Sequence, residues 1–178
     1  MLRRLPVLAA TTIVAIGLAI PLAGCSRDAR RAAPTTTGIA APATTTVVPT
    51  TAGAEAALLA AYNHSWEVYA DALRRLDASR LPSAFAGNAL RVARQEVAEH
   101  IAKRHPSLVR VEHRPRVLHL TSTDGVIQDN YRNHSVLLDP ATGQPIEPDP
   151  NEVVYQRQSL KRIDGAWKVV EVIEEKRP

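Results

Sequence analysis

The stretch Ser159–Val172, "SLKRIDGAWKVVEV", is the strongest structural signal in the chain. Two β-rich runs flank Asp164-Gly165, and a two-residue hairpin turn needs positive φ at both centres, which Asp-Gly tolerates. Upstream, "VRVEHRPRVLHLTST" (109–123) and "VIQDNYRNHSVLLD" (126–139) flank a second such pair, Asp124-Gly125. Two hairpins predict four antiparallel strands, with Pro115 marking an edge or bulged start of the first. The link between them, "DPATGQPIEPDPN" (139–151), holds four prolines and is expected to be a long exposed loop.

Before the strands the period changes. Leu59, Tyr62, Trp66, Tyr69, Leu73 and Leu76 recur at steps of three and four, one apolar stripe of a long amphipathic helix starting near Ala54. A second helix follows Pro82 and Gly87, with Asn88 as its cap and Leu90, Ala93, Val97 and Ile101 on its inner face. Two helices followed by a curved four-stranded antiparallel sheet define an α+β class. The order of elements, with the strand-Asp-Gly-Trp-strand ending, resembles the nuclear transport factor 2-like superfamily of cone-shaped domains. That resemblance covers roughly Ala54 to Glu175. It implies a cone lined by the inner sheet face. It does not choose among the isomerases, dehydratases and adaptors built on such cones.

The N-terminus predicts an address. "MLRR" followed by the apolar "LPVLAATTIVAIGLAIPLAG" has the layout of a secretory signal peptide. Leu22-Ala23-Gly24-Cys25 resembles the lipobox of bacterial lipoproteins, in which the cysteine is lipidated and becomes the new N-terminus. A transmembrane anchor with a chance cysteine is the alternative reading. Residues 1–24 are thus expected to be a leader, and 25–53, rich in Thr, Pro and Ala, a disordered tether with a lipidated Cys25. Residues 54–178 are the folded domain. With its lipobox and tether, the chain looks like secreted actinobacterial lipoproteins, anchored on the extracytoplasmic face of the cell membrane. Cys25 is the only cysteine, which leaves the domain no disulfide.

Charge argues against a nucleic-acid partner. The formal net charge is +4, but Arg3, Arg4, Arg27, Arg30 and Arg31 supply the excess, and from Ala54 onward acids and bases cancel. No phosphate loop, nucleophile elbow or metal motif occurs, so neither cofactor nor metal is expected. Glu96 and His100, one turn apart, read as a surface pair. His113, His119 and His134 show no spacing that brings them together.

One constellation carries chemistry. With Asp124-Gly125 as a two-residue turn, Thr123 faces Val126, Leu118 faces Tyr131 and Leu120 faces Asp129. Alternation then sets Leu118, Leu120, Ile127, Asp129 and Tyr131 on one face as candidate pocket residues. Apolar surroundings raise a carboxyl pKa and would suit Asp129 to general-base work beside the Tyr131 phenol, an arrangement that steroid isomerases of the superfamily use. No opposing acid is identifiable. The resulting expectation is a non-catalytic binding or accessory module for a small apolar ligand or an envelope protein. The alternative is an isomerase- or dehydratase-type enzyme using Asp129 and Tyr131. Partly apolar faces on the last strand pair also suit a second copy of the domain.

Overall fold

The computed structural model describes residues 51–175, so the leader, Cys25 and most of the tether lie outside the described residues. Helix α1 (Thr51–Arg75) is followed by a single 3-10 turn (Leu81–Ser83) and helix α2 (Gly87–Lys103). The strands are β1 (Ser107–Leu108), β2 (Val111–Glu112), β3 (Pro115–Leu120), β4 (Asp124–Asn133), β5 (Val136–Leu137), β6 (Glu152–Ile163) and β7 (Ala166–Glu175). Strand β4 pairs with β6 and β6 with β7, while β2 and β3 lie end to end along the other side of β4. The two helices pack on this curved antiparallel sheet, the α+β architecture expected. Strands β1 and β5 form a separate two-stranded ladder. Among the described residues no helix is long and apolar enough to cross a membrane.

The helices form where the stripes predict, with their inner faces slightly rotated. Helix α1 begins at Thr51 rather than Ala54 and buries Leu58, Tyr62, Ser65, Val68, Ala72 and Leu73. Leu59, Trp66 and Tyr69 flank that line, half-buried against the core. Leu76 adopts φ 56° and ends the helix. In α2 the buried residues are Ala89, Ala93 and Val97, while Ile101 is exposed. Asn88 is not the cap: Ala86 holds that position, and the Asn88 side chain instead accepts a bond from Arg91.

The second hairpin turns as expected, with Asp164 at φ 52° and Gly165 at φ 80°. The first does not. Its turn is Thr121–Thr123, closed by the Thr121 N–H donating to the Asp124 carbonyl (2.8 Å), with the Thr121 hydroxyl accepting from the Thr123 and Asp124 amides. Gly125 lies within β4, opposite Leu120 and Leu160. A Cβ at Gly125 would stand 2.6 Å from Leu58 Cδ1, so this glycine admits α1 to the sheet rather than turning the chain. A bulge between Val117 and His119 then sets Pro115 opposite Asp129 and Val117 opposite Ile127, replacing the expected register. A second irregularity, at Ser159/Leu160, shifts the β6–β7 register so that Leu160 pairs with Val169 and Gln158 with Val172. Bulges of this kind bend the strands that carry them and favour curvature. The core of Leu58, Tyr62, Leu81, Val97, Ile127, Leu160 and Val169 fills the space between sheet and helices.

Candidate functional site

Asp129 projects from the middle of β4 toward α1, where it is 1% exposed. Three donors converge on it. The Tyr62 hydroxyl of α1 donates to Oδ2 at 2.5 Å, and His113 Nδ1 lies 2.6 Å from the same oxygen. The backbone N–H of Arg114 donates to Oδ1 at 2.7 Å. His113 and Arg114 form the joint between β2 and β3, so the carboxylate takes an N–H at the break between the two strands. On the opposite side, Gln156 of β6 faces Asp129 and is also buried.

Aromatic rings pack around this acid. Trp66 stands 4.9 Å from the His113 ring and 5.2 Å, edge-on, from Tyr131. Tyr62 meets His113 edge-on at 5.7 Å. Edge-to-face contacts of this sort contribute about 0.5–1.5 kcal/mol each beyond area burial. Trp66 Nε1 and Gln158 Oε1 are buried without a hydrogen-bond partner among the described residues.

The electrostatics reverse one expectation. Burial acts to raise the Asp129 pKa, but the bonds from His113, Tyr62 and the Arg114 amide outweigh it, and the group is held below its ordinary range. It is an ionised acceptor, not a high-pKa base. Burial raises the pKa of the Tyr62 phenol, and its bond to Asp129 raises it further. Tyr131 is raised by burial first, then by Glu174 and Asp129. Both phenols remain neutral donors at physiological pH.

Of the predicted pocket residues, Ile127, Asp129 and Tyr131 share the inner face, and Leu120 packs half-buried on the core. Leu118 does not join them: the bulge turns it outward, 52% exposed. Asp129 and Tyr131 are neighbours without a hydrogen bond; Tyr62 is the phenol that Asp129 engages. Two site residues escaped the sequence reading. Tyr62 looked like one member of a core stripe, and His113 looked isolated. The Thr121–Thr123 turn alone would leave His113 on the outer face; the bulge between Val117 and His119 brings it to the face of Asp129, and no local pattern announced that bulge.

Among the described residues no group of three or more His, Cys, Asp or Glu is placed to hold a metal. His100 Nδ1 is occupied by the His105 carbonyl at 2.8 Å.

No family model and no curated protein matches the chain. Solved structures do. A domain with a cystatin-like fold from Nostoc punctiforme shares 12% identity over 72% of this chain and 80% of that one, with a TM-score of 0.49. A hexachlorocyclohexane dehydrochlorinase, LinA-type3, from Novosphingobium barchaimii shares 14% over 68% and 87%, with a TM-score of 0.46. An NTF-2 like protein of unknown function from Shewanella oneidensis shares 10% over 65% and 97%, with a TM-score of 0.43. Enzymes and proteins of unknown function thus stand side by side among them, and no residue role is carried over from any.

Proposed function

We propose that the chain is an extracytoplasmic module, tethered to the cell membrane through a lipid on Cys25, that binds a small ligand or an envelope protein without turning it over. The supporting observation is the state of Asp129. A general base must come within about 2.6–3.2 Å of the proton it takes. Asp129 is buried, already carries three donors and is enclosed by Tyr62 and His113. It serves the fold as an acceptor that joins α1, the β2–β3 joint and β4.

An isomerase- or dehydratase-type enzyme is the second reading, and one observation favours it with His113 in place of Asp129. When Nδ1–H donates to a buried carboxylate, the tautomer and ring orientation are fixed, and Nε2 is left as the basic atom. The His113 side chain is 22% exposed, and among the described residues no protein group bonds its Nε2. The deciding assay offers small enones and hydroxy-ketones to the full-length protein and to His113→Asn, which keeps an N–H near Asp129. The module reading expects no turnover by either. Turnover by the wild type that disappears in His113→Asn would replace it with the enzyme.

The tether has its own test. Cys25→Ala should lose incorporation of a fatty-acid probe and leave the membrane fraction. Retention of both in the variant would end the anchor reading.

A further inference from the structure

We infer that the outer sheet face carries a binding site for a phosphate-type oxyanion, in a groove of about 320 Å³ where three arginines, Arg114, Arg116 and Arg132, outnumber the single acid, Glu112, beside Asn130 and Tyr155. This gives the binding module proposed above its ligand chemistry and rests on that reading.

The register builds the groove. Inner-face residues His113, Pro115, Asp129 and Tyr131 alternate with outer-face residues Arg114, Arg116, Asn130 and Arg132. Asn130 stands opposite Tyr155, and Arg132 opposite Val153. Three guanidiniums therefore share one face of two adjacent strands. Like charges so close oppose one another unless a counter-charge sits among them. Among the described residues, none of Arg114, Arg116 and Arg132 has a carboxylate within 4.0 Å, whereas elsewhere on the sheet Arg157 pairs with Glu175 at 3.2 Å and Lys161 with Asp124 at 3.4 Å. Glu112 is the one acid that lines the groove beside the three arginines, and its carboxylate lies 3.6 Å from His134 Nε2. Arg132 is held by the Asn151 side chain at 2.7 Å, which fixes its position.

The donor set suggests the ligand class. A carboxylate has two oxygens, and one bidentate guanidinium satisfies it. Three guanidinium forks, with the Asn130 amide and the Tyr155 hydroxyl beside them, suit a dianion with three or four oxygens. Val153, 37% exposed, offers an apolar edge to whatever bears that anion. The Arg114 backbone is also pinned to Asp129, so the groove floor is fixed by the buried cluster.

The test titrates full-length protein in neutral detergent with inorganic phosphate, and with acetate at matched ionic strength, following arginine Nε–Hε signals by NMR. Phosphate should saturate a subset of them. Arg116→Gln combined with Arg132→Gln should weaken the response at least tenfold, and Lys103→Gln on α2 should leave it unchanged. Arg116→Lys, which keeps the charge but loses the fork, should weaken it several-fold and serves if the double variant does not fold. No saturable response, an equal response to acetate, or an equal loss in Lys103→Gln overturns the site. The Cys25→Ala protein separates two sources. Co-sedimentation with phosphatidic acid vesicles that needs Arg116 and Arg132 identifies a lipid headgroup; a phosphate response without it identifies a soluble phosphate ester. Turnover lost in His113→Asn would end the non-catalytic reading and leave the phosphate response intact, so the two failures read differently.

Discussion

Asp129→Asn should lower the folding stability at neutral pH by about 3 kcal/mol. A hydrogen bond to an ionised group contributes roughly 1.5–3 kcal/mol net, and three donors lose their charged acceptor together, although such terms do not add in full. Asparagine is close in size, so the loss is electrostatic rather than a packing defect. The pH dependence separates it from a simple cavity. Because the folded-state pKa of Asp129 is depressed, its contribution is complete above the ordinary aspartate range and disappears as pH falls through the folded value. The gap between wild type and variant should therefore close in acid. Urea denaturation at pH 7 and again near pH 3 measures both. A gap that stays constant would mean that Asp129 is not the ionised acceptor described above.

The second large effect lies where α1 meets β4. Leu58 is fully buried, and Leu58→Ala should cost about 2–5 kcal/mol. Gly125→Ala should cost about 1–3 kcal/mol, because its new Cβ would stand 2.6 Å from Leu58 Cδ1 and 2.7 Å from Cδ2. Together the two changes should cost clearly less than their separate effects, by about 1–3 kcal/mol, since the alanine methyl occupies space that the leucine vacates. Thermal or urea unfolding of the four proteins gives the coupling. Additivity within about 0.5 kcal/mol would show that Gly125 and Leu58 do not share that space.

These two sites also mark where sequence reading succeeds and where it stops. Asp164-Gly165 was legible because a turn is made by the backbone preferences of the residues in it, and both take positive φ. Asp124-Gly125 carries the same letters but does another task. Its glycine answers to Leu58, a residue far away in the chain, and no local pattern contains that contact. The helical stripes gave the elements but not their rotation: Leu58 rather than Leu59 points inward, because the close approach at Gly125 selects it. Asp129 and Tyr131 were correctly placed on one face, since alternation along a single strand survives any slip of its neighbour. Leu118 was not, and His113 was missed, because both depend on how β3 bulges against β4.

The chemistry was misjudged for a related reason. Apolar neighbours on the strand implied a raised pKa for Asp129. Its actual partners come from α1 and from the joint before Pro115, and their three hydrogen bonds outweigh the burial. A carboxylate's environment is set by what folds over it, which the strand alone does not contain.

The central claim is that Asp129 is a buried, ionised acceptor that holds α1 and the β2–β3 joint to β4. The most direct measurement is a pH titration of its side-chain carboxyl carbon by 13C NMR in the full-length protein. The account predicts a signal that stays in the ionised position from neutral pH down through the ordinary aspartate range, and that moves only as the protein begins to unfold in acid. A midpoint above the ordinary aspartate range, with the protein still folded, would contradict it and return Asp129 to the role of a base.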